Sequence, residues 1–307
     1  MCSMPPGDLW TALPDFTAVG TTLRVAGTPV HLKGLSWFGA EGTGKVQDGL
    51  WANTLDFYLR FVAEHRFNAI RIPFALDTVL ANPEPAHEML TTAPELKGLK
   101  YLDVLERVVD TAASHGLLIL LDLHRLKADR WPDDGLWYGP GVTLDTLKAC
   151  WDLMQARFCK RWNVLGADIL NEPHGAKWRD WAGAATQLGN FVLSKCARWV
   201  IFVEGVAHEG TKEKSEFFWG ENLEDAAHRP VKLAVANKLV YSPHVRPPRL
   251  DPTARPVSNP RAQGLEFAVR RSMGLATAEM STTCPTLMPR TSPAIWRRSG
   301  ISTLASW

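Results

Sequence analysis

The chain has 307 residues, 46% of them hydrophobic and 21% charged, with a formal net charge of +2. That is enough chain for one large core or two modest ones, and its composition is that of an ordinary globular protein. The near-neutral balance gives no reason to expect a nucleic-acid partner. No run approaches the ~18 apolar residues of a membrane-spanning helix.

The opening residues, MCSMPPGDLW, have neither a basic segment nor an apolar run, so no signal peptide is expected from them. Five cysteines, an odd number with no CxxC pair, argue against both a disulfide framework and a zinc site. Residues 1–19 read as an N-terminal extension. Residues 22–37 then read as a short hairpin turning at Gly27-Thr28-Pro29, followed by a strand ending near Trp37.

From there helix and strand patterns alternate. A helix around Leu55–His65 precedes the strand NAIRIPF, residues 68–74. The helix LDVLERVVDTAASHG aligns Leu105, Val108, Val109 and Ala112 on one face and stops at Gly116. LLILLDLH, residues 117–124, is apolar nearly throughout, as a strand covered on both faces should be. Helices over Thr143–Arg161 and Trp181–Cys196 precede the strands in VLGADILNEP and in WVIFVEG, residues 199–205. KLVYSPH, residues 238–244, reads as a sixth strand.

This order predicts a parallel sheet covered by helices. Six strand ends in succession deliver Trp37, Arg71, His124, Asn171-Glu172, Glu204 and His244. Such convergence favours an α/β fold of the (β/α)8 TIM-barrel type, whose site is assembled at the C-terminal ends of its strands. No GxGxxG or phosphate-binding loop follows any strand, which removes the main support for a nucleotide-binding open sheet. The histidines show no HExxH or i, i+4 pairing, so no metal or other cofactor is expected.

The set GLSWFGAEG, FNAIRIPF, LLILLDLH, ILNEPHG, WVIFVEGV and LVYSPH resembles glycoside hydrolase family 5, the cellulase-like family, over residues 20–245. Endo-β-1,4-glucanases of bacteria and fungi look nearest. The resemblance implies a retaining glycosidase acting on β-linked glucans or related polysaccharides and oligosaccharides, expected to work as a monomer. Retaining hydrolysis uses two carboxyl groups about 5–5.5 Å apart, one a proton donor and the other a nucleophile. By resemblance Glu172 is the general acid/base, its pKa held up by burial and by the nucleophile's charge. Asn171 would bond the sugar 2-hydroxyl, and Arg71 would keep the nucleophile ionised. His124 and His244 would complete the polar floor of the cleft, and Trp37 would line the subsite, with a core role as the alternative. Trp137 and Tyr138 would stack on a sugar ring, with loop packing as the alternative. Glu204 would be supportive. Relatives are commonly secreted, which leaves the location open.

After Val245 the pattern ends. Residues 246–307 contain nine arginines, no lysine, three acidic residues and eight of the 21 prolines. The family's Gly-Glu-Phe-Gly-like nucleophile motif and its late tryptophan are not recognisable there, and Arg246 stands where a tyrosine is usual. At about 41 residues per β/α unit, two further units would need roughly 80 residues, and 63 follow His244. Three readings stay open: a shifted reading frame, a solvated basic tail, or a divergent barrel end with Glu266 or Glu279 as nucleophile. A sugar-binding barrel without turnover, or a truncated product lacking the seventh-strand nucleophile, is the alternative function.

Overall fold

The computed structural model describes residues 12–130, 135–207 and 217–244. Six short strands, β4 (Gly34–Ser36), β5 (Ala69–Ala75), β6 (Leu118–Arg125), β7 (Val164–Asp168), β8 (Val200–Val203) and β9 (Leu239–Tyr241), form one sheet in sequence order. Every neighbouring pair is parallel. Helices α1 (Leu55–Glu64), α2 (Leu76–Ala81), α3 (Tyr101–Ser114), α4 (Leu144–Phe158) and α5 (Trp178–Lys195) occupy the crossovers. These are six consecutive strands of the expected barrel. Val245 and the residues after it, with Glu266 and Glu279, lie outside the described residues.

The two faces of the strands carry different cores, because successive side chains point to opposite sides. Ile70, Ile72, Ile119, Leu121, Ala167 and Ile201 pack outward with the apolar stripes of the helices. Ala69, Leu118, Leu120, Leu165, Phe202 and Val240 join a separate inner cluster. On β6 the inward column runs Leu118, Leu120, Asp122, His124, apolar at one end and ionisable at the other. The polar end is where the site forms.

A small antiparallel sheet adds to the inner cluster. Strands β1 (Phe16–Val19), β2 (Thr22–Val25) and β3 (Thr28–Val30) pair in order, and Phe16, Ala18, Leu23 and Val25 pack onto the inward residues of the large sheet. The turn between β2 and β3 is Ala26-Gly27, both at positive φ (48° and 83°), one residue earlier than expected. A two-residue hairpin of this type needs positive φ at both positions. The boundary drawn at residue 19 is therefore revised, since β1 belongs to the fold. Its link is polar as well as apolar: the Lys238 ammonium donates to the Phe16 carbonyl at 2.5 Å and pairs with Asp15 at 2.6 Å.

Two other expectations change. Asn171-Glu172 does not end a strand, because β7 stops at Asp168 and the next residues form a turn at the mouth of the sheet. Cysteine pairing is also corrected: Cys159 and Cys196 form a disulfide, with Cα atoms 5.8 Å apart. Sequence spacing hid it because the partners lie 37 residues apart. They cap the C-terminal ends of α4 and α5, and successive crossover helices of a parallel sheet end side by side. Nearby, the Arg198 guanidinium donates to the carbonyls of Pro14, Cys159, Arg161, Trp162 and Val164 at 2.9–3.2 Å. Burial lowers its pKa to about 10.

Closing a loop of that length contributes roughly 4 kcal/mol by unfolded-chain entropy. Reduction, or Cys196→Ser, is expected to lower the denaturation midpoint clearly while leaving the ligand cleft at the opposite end of the strands unchanged. Chemical denaturation with and without reductant measures this. An unchanged midpoint would show that the pairing contributes nothing.

Candidate active site

At the C-terminal ends of the strands the inward residues change from apolar to ionisable. Arg71, on β5, is 1% exposed and stands at the centre. Its Nη1 lies 2.8 Å from Asp122 Oδ2, and its Nε donates to Asp168 Oδ2 at 3.0 Å. Its Nη2 reaches both Asn171 Oδ1 and Glu204 Oε1 at 2.9 Å. Each of the three carboxylates is at most 1% exposed. Burial opposes the charge on Arg71, but the three acids outweigh it and raise its pKa. An isolated buried charge would cost several kcal/mol, and this one is fully paired.

Around that cluster stand the residues the sequence pointed to. His124 is bonded through Nδ1 to Asp122 Oδ2 at 2.6 Å. Glu172 Oε1 is 3.0 Å from His244 Nδ1, and His244 Nε2 is 3.0 Å from Glu204 Oε1. The Glu172 backbone N–H donates to Glu204 Oε2 at 2.7 Å. Glu172 sits at φ 44°, a left-handed conformation uncommon outside glycine. Gly220, at φ +76°, passes so close that a Cβ there would lie 2.8 Å from Glu204 Oε2 and 3.2 Å from both Glu172 Cγ and His244 Cβ. Only glycine fits.

The cleft beside Glu172 encloses about 380 Å³ of space open to solvent. His124, Asn171 and Glu172 line it, together with Leu136, His174 and Trp219. The Trp219 ring stacks on His174 at 3.8 Å between centroids and 12° between planes. His174 is fixed in turn by the Glu172 carbonyl, 2.8 Å from its Nδ1. A flat aromatic face beside a carboxyl group suits a sugar ring.

Three predicted residues stand elsewhere. Trp37 is fully buried, donates its indole N–H to the Asp48 carbonyl and packs on Tyr58, so it does not line the cleft. Trp137 turns toward Trp181 of α5, 5.6 Å away, and packs on the core. Tyr138 is half exposed against the edge of Trp137. Leu136, their neighbour, faces the cleft instead. Sequence reading passed over Asp122, Asp168 and Trp219 and ranked Glu204 as merely supportive. Asp168 had a visible signal, a lone charge inside the apolar run VLGADIL. Trp219 had none, since it lies in a loop without periodicity.

The electrostatics of the described residues can be read group by group. Burial works against ionising Glu172, but the hydrogen bond and charge of His244, with His124 and Arg71, more than offset it and lower its pKa. The expected rise required an adjacent nucleophile carboxylate, and the candidates for that group, Glu266 and Glu279, fall outside the described residues. Glu204 moves the other way, raised to about 7 chiefly by burial. Burial disfavours the His244 cation, but Glu204 and the bond to Glu172 outweigh that and raise it to about 10. Asp168, Glu204 and His244 have ligand atoms within 4.8 Å of one another, a metal-like spacing. The Arg71 cation already pairs with two of them, so the charge there is met without a metal.

The chain is similar to known proteins. A family model described as cellulase, glycosyl hydrolase family 5, matches residues 23–248. An endoglucanase of Paenibacillus polymyxa is 34% identical over 226 residues, covering 71% of this chain and 56% of that protein. The major extracellular endoglucanase of Xanthomonas campestris pv. campestris is 33% identical over 231 residues, covering 73% and 47%. The chain thus spans about half the length of the curated relatives it matches. An endocellulase from Pyrococcus horikoshii, solved in complex with cellotetraose, superposes with a TM-score of 0.79 at 30% identity, covering 87% of this chain and 80% of that one.

The pKa shifts give a sign for pH dependence. His244 is raised from 6.5 to about 10, so its contribution is complete below 6.5 and is lost as pH rises through 10. Glu204 is raised from 4.5 to about 7, and what it adds is likewise lost as pH rises through 7. Thermal unfolding followed from pH 7 to pH 10 is expected to show a falling midpoint. A flat or rising profile would mean that His244 is not held as a cation.

Proposed function

The chain belongs to glycosyl hydrolase family 5, the cellulase family, and on that premise we propose that it acts on β-linked glucans as a retaining glycoside hydrolase with Glu172 as general acid/base. The observation that carries this reading is the placement of Asn171 and Glu172 on one turn at the cleft, with Glu172 bonded to His244 and Asn171 held by Arg71. Asn171 would meet the sugar 2-hydroxyl, and Trp219 would support a neighbouring ring. The cellotetraose bound by the Pyrococcus endocellulase supports a β-glucan oligosaccharide as ligand.

The attacking carboxylate is a separate matter. Asp122, Asp168 and Glu204 are buried and paired with Arg71, so none of them serves as nucleophile in this reading. The partner carboxylate is assigned outside the described residues. A second reading, a barrel that binds sugar without cutting it, draws on the same observation.

The Cys159–Cys196 bond suits an oxidising compartment, and the Xanthomonas relative is named an extracellular enzyme. We therefore place the protein outside the cytosol. No helix among the described residues is long and apolar enough to cross a membrane.

Glu172→Gln tests the assignment. Turnover of soluble β-glucan should fall by about 10²–10⁴-fold, while the glycosylation step of an aryl β-cellobioside with a good leaving group should fall far less, because it needs little protonation. Equal losses on both would make Glu172 structural. Cellotetraose binding by the unaltered chain without turnover of either substrate would select the second reading.

A further inference from the structure

The end of β6 forms part of the cleft wall beside Asn171 and Glu172. Strict alternation would send Leu121, Leu123 and Arg125 of this strand toward the helices, and both leucines do pack there. Arg125 leaves that column. The β5–β6 register steps from Phe74 opposite Leu123 to Ala75 opposite Arg125, which makes His124 an extra residue. A bulge of this kind re-aims the side chains around it, and here His124 and Arg125 both line the cleft.

A buried carboxylate accompanies the guanidinium. Arg125 Nη2 is 3.8 Å from Oε1 of Glu41, which is buried in the loop after β4. Glu41 is itself fixed, because its Oε2 accepts the Gly39 N–H at 2.7 Å. Gly39 sits at φ +119°, and a Cβ there would lie 2.4 Å from the Asp48 backbone nitrogen, so the turn that holds Glu41 closes only with glycine.

We propose that Arg125 is a substrate-binding residue of this cleft, donating to hydroxyl and ring oxygens of an uncharged β-linked sugar chain. The inference rests on the glucan reading given above and adds a recognition group to it.

The chemistry of the wall limits what it takes. Leu126, Leu136, Leu170 and Trp219 supply apolar surface, which suits the faces of sugar rings. Glu172 offers acceptor oxygens, whereas a guanidinium carries only donors, five N–H groups in one plane. Sugar hydroxyls both donate and accept, so a chain lying along this wall meets both kinds of group. An anion would gain little, because Glu41 already balances the Arg125 charge. A few placed polar groups on a mainly apolar wall fix the orientation of a ligand.

Calorimetric titration of cellotetraose into the full chain tests this without requiring turnover. Arg125→Met keeps an unbranched stem and removes the donors, and should raise Kd by about 10–100-fold. Arg125→Lys keeps the charge opposite Glu41 but loses the planar fork, and should raise Kd by less, with an unchanged thermal midpoint. Equal Kd values for the unaltered chain and Arg125→Met overturn the proposal. Should Arg125→Met fail to fold, Arg125→Lys decides, and an unshifted Kd there overturns it as well. Preference of the unaltered chain for an oligogalacturonate of the same length would make Arg125 an anion site and overturn it too. If the unaltered chain binds no cellotetraose, the glucan reading falls and this inference with it. Binding that ignores Arg125 removes the inference alone.

Discussion

A guanidinium buried inside the barrel sets the terms for everything above it. Arg71 is placed there by strand alternation: Ile70 and Ile72 point to the helices, so the residue between them points inward. A charge in that position is tolerable only when surrounded by acceptors, and three strands answer with Asp122, Asp168 and Glu204. Removing the arginine would strip three buried carboxylates of their shared cation, a change that typically costs about 3–5 kcal/mol when one partner of a buried pair is lost. The same group also holds Asn171 and, through Glu204, the backbone of Glu172. The site is thus shaped before any sugar arrives, which spares reorganisation when charge develops during bond breaking.

The two ends of the strands divide the work. At the N-terminal end, the small antiparallel sheet, the Arg198 guanidinium and the Cys159–Cys196 bond tie chain segments far apart in sequence. At the other end, turns carry the polar groups. β/α barrels in general separate stability from chemistry in this way, and loops at the catalytic end can vary while the floor stays fixed. Gly220 and the His174–Trp219 stack are examples of such loop features, one making room for Glu172 and the other presenting an aromatic face.

Much of this was legible in the residues themselves. NAIRIPF and LLILLDLH announce buried parallel strands by composition, and ILNEPHG marks the cleft turn that carries Asn171 and Glu172 by its motif. What stayed hidden depends on three-dimensional proximity. Cys159 and Cys196 meet only because adjacent crossover helices end together. Trp37 and Trp137 looked like cleft residues because aromatic type says nothing about direction, and packing turned both toward the core. β1 has four residues and no flanking periodicity, so it reads as extension until its partner strand is seen. The lowered pKa of Glu172 was unreadable for the same reason, since it depends on His244, 72 residues away in the chain.

The central claim is that this cleft holds a β-glucan with its scissile oxygen at Glu172. A crystal structure of the full chain with cellotetraose tests it most directly. The account predicts a sugar ring over Trp219, a hydroxyl on Asn171, and a glycosidic oxygen within about 2.6–3.2 Å of the Glu172 carboxyl. Cellotetraose bound away from this cleft, or lying in it with Glu172 turned from every glycosidic oxygen, would contradict it.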